Sequence, residues 1–113
     1  MSLLLLDDEE VFSKILGIFC KEKGLKFYYA KNIEEAKVIA QNNKVKYAII
    51  DQYLKNEKGS DFGRYLKNKF PEIKTIICSG SNNDISDEEL KYFDISVNKS
   101  ELVTFINEVL IKS

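Results

Sequence analysis

Short apolar runs that alternate with helical segments restrict the fold of this chain more than any other feature. Five runs have the length and composition of buried strands: Leu3–Leu6, Leu25–Ala30, Tyr47–Asp51, Thr75–Ser79 and Ile95–Asn98. Strands that alternate with helices form βα units, which predict a parallel sheet covered by helices. We therefore predict an α/β fold with five strands and five helices in three α/β/α layers.

The order of the strands cannot be read from the sequence. Right-handed crossovers with helices on both faces favour a doubly wound, flavodoxin-like arrangement of five βα units.

Capping residues and apolar periodicity predict where the helices begin and end. The first helix spans about Glu10–Lys23, with Gly24 at its C-cap. Asn32 caps the second, where Glu35 three residues later predicts a capping box. The only proline, Pro71, ends the third.

The last two helices differ in how strongly the sequence specifies them. Ser86 with Glu89 forms a second capping box, but few apolar residues follow, so we expect a short fourth helix. Ser100 is predicted to cap the fifth helix. Its apolar residues form one stripe at helical spacing: Leu102, Phe105, Ile106, Val109 and Leu110.

Length and charge exclude several classes of function. The 113 residues, 44% of them hydrophobic, suffice for one domain, and we expect residues 1–113 to form it without an output domain. A net charge of -1 with scattered basic residues gives no electrostatic basis for binding nucleic acid. The N-terminal leucine run is too short for a signal peptide or membrane span, so we expect a cytosolic protein without membrane association.

The absence of histidine and the placement of the two cysteines exclude further kinds of catalytic and metal site. The chain has no histidine, which excludes histidine metal ligands, histidine-dependent triads and phosphorylation on histidine. Cys20 and Cys78 lie in apolar segments without a spacing motif, so we expect both to be small buried hydrophobes.

Polar side chains follow four of the five predicted strands. Asp7 and Asp8 come after the first strand, Asp51 and Ser79 end the third and fourth, and Lys99 follows the fifth. A single aspartate in such a place is usually a helix cap. Because the carboxyl ends of parallel strands line one crevice, however, the ordered set predicts a common site.

This set of side chains suits phosphoryl transfer. The Asp51 carboxylate can attack a phosphoryl group and form an aspartyl phosphate. Mg²⁺ prefers oxygen ligands, which Asp8 and Asp51 can supply directly and Asp7 through a bound water. Lys99 and the hydroxyl of Ser79 can each stabilise a phosphoryl oxygen.

With these residues the chain resembles response regulator receiver domains over essentially its whole length. The matching residues are Leu6-Asp7-Asp8-Glu9, Asp51 with Leu54 and Gly59, Ser79-Gly80, and Lys99. The resemblance implies that Asp51 is the phosphoacceptor and that Asp7, Asp8, Asp51 and the backbone carbonyl of Tyr53 hold Mg²⁺. It also implies that Ser79 is the conformational-switch hydroxyl and that Lys99 binds the phosphoryl group.

Three positions depart from the pattern of that family. Lys55 and Ser100 stand where it usually has proline, and Ser96 stands where it has an aromatic switch residue. Because a cis bond before a residue other than proline costs ~2.5–4 kcal/mol, we expect a trans Lys99–Ser100 peptide. Without the aromatic ring, we expect phosphorylation to cause a smaller rearrangement than usual, confined to Gly80–Ile85 and the fourth helix.

The implied function is that of a receiver in two-component signalling. The chain would accept a phosphoryl group from a histidine kinase or a histidine phosphotransfer protein, and then bind an unknown downstream protein differently. Its phosphotransfer would be partly self-catalysed, so we do not class it as a free-standing enzyme.

Two alternatives are open at this stage. The substitutions at Lys55 and Ser96 favour a phosphorylation-independent pseudo-receiver that binds partners through the same fold, whereas the complete acidic set disfavours it. A small hydrolase that uses an aspartyl phosphate is less favoured, because Gln52 and Tyr53 offer no second acid/base carboxylate.

Overall fold

The computed structural model describes residues 1–79 and 85–111, apart from the side chains at 79 and 109–111. The five strands are β1 (Ser2–Leu6), β2 (Lys26–Ala30), β3 (Tyr47–Asp51), β4 (Lys74–Ser79) and β5 (Ile95–Asn98). The first four helices are α1 (Glu10–Glu22), α2 (Ile33–Asn42), α3 (Gly59–Lys69) and α4 (Asp87–Leu90). The fifth, α5, begins as a 3₁₀ turn at Lys99–Glu101, is α-helical over Leu102–Phe105 and ends as a π-helix at Ile106–Ile111.

The five strands form one parallel sheet in the order β2-β1-β3-β4-β5. The chain thus winds first to one side of β1 and then to the other, which is the doubly wound, flavodoxin-like order. The predicted fold class is confirmed. Strands β1 and β3 are neighbours in the sheet. Their carboxyl ends lie side by side at the point where the winding reverses.

Apolar side chains on the two faces of the sheet form two separate cores. Alternate residues of β1 point to opposite faces, so Leu4 and Leu6 join one core and Leu3 and Leu5 the other. The first core packs against α2 and α3, and the second against α1 and α5. Burial on both faces explains the continuous apolar runs in the sequence.

One of the two predicted capping boxes is complete, and the other is not. Asn32 accepts a hydrogen bond from the Glu35 amide as expected, but the Glu35 carboxylate accepts from the amide of Lys31, not from that of Asn32. The predicted reciprocal capping box at α2 is therefore only half formed. At α4 both halves of the box between Ser86 and Glu89 are present, and the helix is as short as predicted.

The start and the regularity of α5 were predicted wrongly. The cap is Asn98, not Ser100, because the Asn98 side chain accepts from both the amide and the hydroxyl of Ser100. The stripe correctly places Leu102 and Ile106 in the core, but an apolar stripe does not determine the hydrogen-bond spacing of the backbone. Phe105 is partly buried and packs against this core, and the side chains of Val109 and Leu110 lie outside the described part.

The remaining local predictions concern the end of α1, the two cysteines and the Lys99–Ser100 peptide. The C-cap of α1 is Lys23, so the predicted glycine cap is wrong by one residue, and Gly24 follows it with a φ of 72°, a conformation that favours glycine. Cys20 and Cys78 are buried free thiols, and burial raises their pKa values to about 11 and about 12. Peptide bonds in the described residues are all trans, which includes Lys99–Ser100. Among the described helices, none is long and apolar enough to cross a membrane.

Candidate functional site

Three carboxylates meet at the carboxyl edge of the sheet. One oxygen each from Asp7, Asp8 and Asp51 lies within 4.8 Å of the others. Asp7 is fully buried, Asp51 is 8% exposed and Asp8 is half-buried. The sheet brings them together because β1 and β3 are hydrogen-bonded neighbours that end at the same level.

Lys99 reaches this cluster from the end of β5. Its Nζ lies 2.9 Å from Oδ2 of Asp7 and 3.4 Å from Oδ2 of Asp51. Burial by itself lowers the pKa of Lys99, but the hydrogen bond to Asp7 and the two carboxylate charges outweigh burial and raise it. The site therefore contains a permanent cation next to the predicted phosphoacceptor.

The Asp51 carboxylate is held from two sides. The amide of Tyr53 donates to Oδ1 at 3.2 Å, while Lys99 contacts Oδ2. The pKa of Asp51 is raised to about 6: burial is the largest cause and the Asp7 charge adds to it, while Lys99 and the Tyr53 amide partly oppose the increase. Without an added cation, the site thus contains more negative charge than Lys99 neutralises.

The acidic cluster has the chemistry of a divalent cation site. Oδ1 of Asp7 accepts from the amide of Glu9, and the buried Oδ2 forms an ion pair with Nζ of Lys99 at 2.9 Å. Lys99 offsets only one of the three clustered carboxylate charges, and buried charges are costly unless they are paired or bind a metal ion. Oxygen-only ligands on two or three carboxylates match the preference of Mg²⁺.

The structure gives less information on other predicted site residues. Ser79 is the last residue of β4 and pairs with Asn98, but its hydroxyl and Gly80 lie outside the described residues. Tyr53 is 49% exposed beside the acidic cluster. Ser96 is exposed on β5, so the position that the resemblance assigns to an aromatic lies at the surface.

The sequence that forms this fold and this site matches a known protein family. Residues 3–99 match the family model described as the response regulator receiver domain. The chain belongs to this family. The predicted resemblance is confirmed, and the match includes every residue of the acidic cluster and Lys99.

Known proteins similar to this receiver domain include both full-length regulators and isolated domains. Photosynthetic apparatus regulatory protein RegA of Cereibacter sphaeroides is 33% identical over 79 residues, which are 70% of this chain and 43% of RegA. The receiver thus spans less than half the length of this curated relative.

Among solved structures, Thermotoga maritima TrrA in complex with Mg²⁺ and BeF superimposes with a TM-score of 0.87 at 23% identity, over 98% of this chain and 96% of TrrA. TrrA in complex with the histidine kinase ThkA matches with a TM-score of 0.81 at 23% identity, over 96% of this chain and 97% of that chain. At this level of identity the two structures show a shared fold.

Several residues of the receiver's site were not found by sequence reasoning. Phe12 of α1 lies under Lys99, with Nζ 5.5 Å from the ring centroid. Gln52 and Ser60 bind the carboxylate of Glu89 at the start of α4. The sequence predicted Glu89 only as part of a capping box. No sequence signal connects it with Gln52, because 37 residues separate them.

Proposed function

We propose that this receiver domain accepts a phosphoryl group on Asp51, with Mg²⁺ required, and signals through phosphorylation-dependent binding of a partner protein in the cytoplasm. The observation that carries the proposal is the geometry of four groups. Ligand oxygens of Asp7, Asp8 and Asp51 lie within 4.8 Å of one another, and Lys99 contacts both Asp7 and Asp51.

The proposed metal ligands are Asp8, Asp51 and the backbone carbonyl of Tyr53, with Asp7 holding a bound water. A Mg²⁺ ion held there would offset negative charge on the phosphoryl oxygens. We assign the remaining work to side chains of the receiver. Lys99 contributes a fixed positive charge to a phosphoryl oxygen, and Ser79 donates its hydroxyl to another.

The proposed reaction forms one bond and breaks one. A carboxylate oxygen of Asp51 attacks phosphorus, and the bond from phosphorus to the donor breaks, with its electron pair leaving on the donor atom. With a phosphohistidine donor that atom is an imidazole nitrogen. We propose a histidine kinase or a histidine phosphotransfer protein as the donor, in line with the binding of TrrA to ThkA. The receiver would act as a phosphoacceptor that partly catalyses its own reaction, without turning over a separate substrate.

Labelling by a small phosphodonor tests this function. We expect incubation with acetyl phosphate and Mg²⁺ to add one phosphoryl group, detected by intact mass. Asp51→Asn and a chelator should each abolish labelling. The matched control is Asp61→Asn, which changes an exposed aspartate on α3 and should be labelled normally.

Two results would contradict the proposal. Full labelling of Asp51→Asn would place the acceptor elsewhere, and labelling that persists with a chelator would remove the metal requirement. An unlabelled wild-type protein that still binds its partner would instead support the phosphorylation-independent module.

A further inference from the structure

Polar contacts attach α4 to the rest of the domain, alongside Leu90, which is partly buried and packs against the first core. None of its four residues, Asp87–Leu90, is buried. The two oxygens of Glu89 have different partners. Oε1 accepts from the amide and the hydroxyl of Ser86 in the capping box, while Oε2 points across to another part of the structure.

Oε2 of Glu89 binds two residues next to the phosphoacceptor. It accepts from Nε2 of Gln52 at 2.7 Å and from the hydroxyl of Ser60 at 2.9 Å. Oε1 of Gln52 accepts in turn from the amide of Ser60 at 2.9 Å. The three side chains therefore form a closed network, which we call the Glu89 latch, and Gln52 within it is only 1% exposed.

The latch also fixes the turn that follows Asp51. The backbone N–H of Gln52 donates to the backbone carbonyl of Cys78 at 3.3 Å. The backbone carbonyl of Gln52 accepts from the backbone N–H of Gly59 at 3.0 Å. Because Gln52 is held by both backbone and side chain, it cannot shift without moving Asp51, to which it is covalently joined. Displacing the buried side-chain amide of Gln52 would break these hydrogen bonds, which costs free energy because its polar atoms would be left without partners.

We propose that Glu89 is a positioning residue for the phosphoacceptor: it holds the Asp51–Gln52 turn in place through Gln52 and Ser60 and couples that turn to α4. This inference rests on the proposed function of Asp51. Coupling between two sites is reciprocal in binding free energy. Occupation of Asp51 should therefore change the environment of α4, and breaking the latch should weaken occupation of Asp51.

Binding of Mg²⁺ and beryllofluoride to latch variants tests this inference. Gln52→Met keeps the volume of the side chain but removes both of its hydrogen bonds, and Glu89→Gln removes the charge. We expect each variant to bind beryllofluoride about 5-fold or more weakly than wild type, as measured by NMR titration. Glu88→Gln is the matched control: it removes the same charge from the neighbouring, exposed residue and should bind normally.

A double variant separates the latch from general loosening of the structure. If Gln52 and Glu89 act as one unit, Gln52→Met with Glu89→Gln should lose no more affinity than either single variant. Amide shifts of Asp87–Leu90 on binding should also be smaller in Gln52→Met than in wild type. Ser60→Ala, which removes one donor and keeps the capping box, gives a milder version if a stronger variant fails to fold.

Three outcomes would overturn the inference: wild-type affinity in both single variants, additive losses in the double variant, or α4 shifts that do not depend on Gln52. Failure of the proposed function would look different, because beryllofluoride would then not bind the wild-type protein at all.

Discussion

Gly59 packs directly on the backbone carbonyl of Asp51. A Cβ built at Gly59 would lie 2.2 Å from that carbonyl oxygen and 2.7 Å from a methyl carbon of Ile50. The first residue of α3 can therefore approach the end of β3 only because it has no side chain. This contact places the start of α3 against the phosphoacceptor.

Gly59→Ala should consequently destabilise the domain and impair labelling of Asp51. We expect a loss of about 1–3 kcal/mol in the free energy of unfolding, because backbone must move to admit the methyl group. Gly17→Ala is the control. Its Cβ would meet only the Phe27 ring at 3.7 Å, so alanine within α1 should stabilise the protein by about 0.5–1 kcal/mol. Chemical denaturation measures both, and a neutral Gly59→Ala would contradict the close packing.

Lys99→Met should separate phosphoryl transfer from metal binding. The substitution removes the cation that contacts Asp7 and Asp51, so labelling by acetyl phosphate should slow on the order of 100-fold. Mg²⁺ affinity should stay the same or increase, since a positive charge next to the metal ligands is lost. Lys91→Met, which changes an exposed lysine, is the control. Weaker Mg²⁺ binding in Lys99→Met would contradict this assignment.

Glu89 should make stability depend on pH in the acid range. Hydrogen bonds from Ser60 first, then from Ser86 and Gln52, lower the pKa of Glu89 to about 2. Because this value lies below the unfolded value of about 4.3, the carboxylate stabilises the fold above that pH, and its contribution is lost as pH falls toward 2.

The difference in unfolding free energy between wild type and Glu89→Gln should thus be largest near neutral pH and shrink below about pH 4.5. Glu88→Gln should show a smaller difference, because the exposed pair of Glu88 with Lys91 contributes little. If the difference in unfolding free energy between wild type and Glu89→Gln stayed constant from neutral to acid pH, the Glu89 carboxylate would not be ionised in the latch.

Tyr53→Ala should shorten the lifetime of the phosphorylated receiver. Tyr53 lies two residues after Asp51, is 49% exposed and can obstruct the path of an attacking water. Loss of phosphate after removal of acetyl phosphate, followed by intact mass, should be faster in Tyr53→Ala and close to wild type in Tyr53→Phe. An equal or slower rate in Tyr53→Ala would exclude this role.

Beryllofluoride should shift amides around α4 more than those of β5 and α5. Ser96 on β5 has no ring that could turn inward, and it is already exposed. Phe93 is buried against Gly63, and Tyr92 is half-buried, so any aromatic response must pass through the segment around α4. Large shifts across β5 and α5, with Ile85–Phe93 unchanged, would show that switching follows another route.

The sequence by itself determined the number of strands and helices and the positions of the site residues along them. Strand length, capping residues and apolar periodicity are local properties, so Asp7, Asp8, Asp51 and Lys99 could be placed at strand ends without a structure. The parallel architecture then implied that these ends share one edge of the sheet.

The tertiary structure alone decided the strand order, the approach of Gly59 to Asp51 and the Glu89 latch. Each depends on which segments become neighbours after folding. A carboxylate in a capping box has a second oxygen, and its partners depend on which residues the fold places beside α4, here Gln52 and Ser60. For that reason Glu89 appeared in the sequence only as a helix cap, whereas in the folded domain it binds the residue next to the phosphoacceptor.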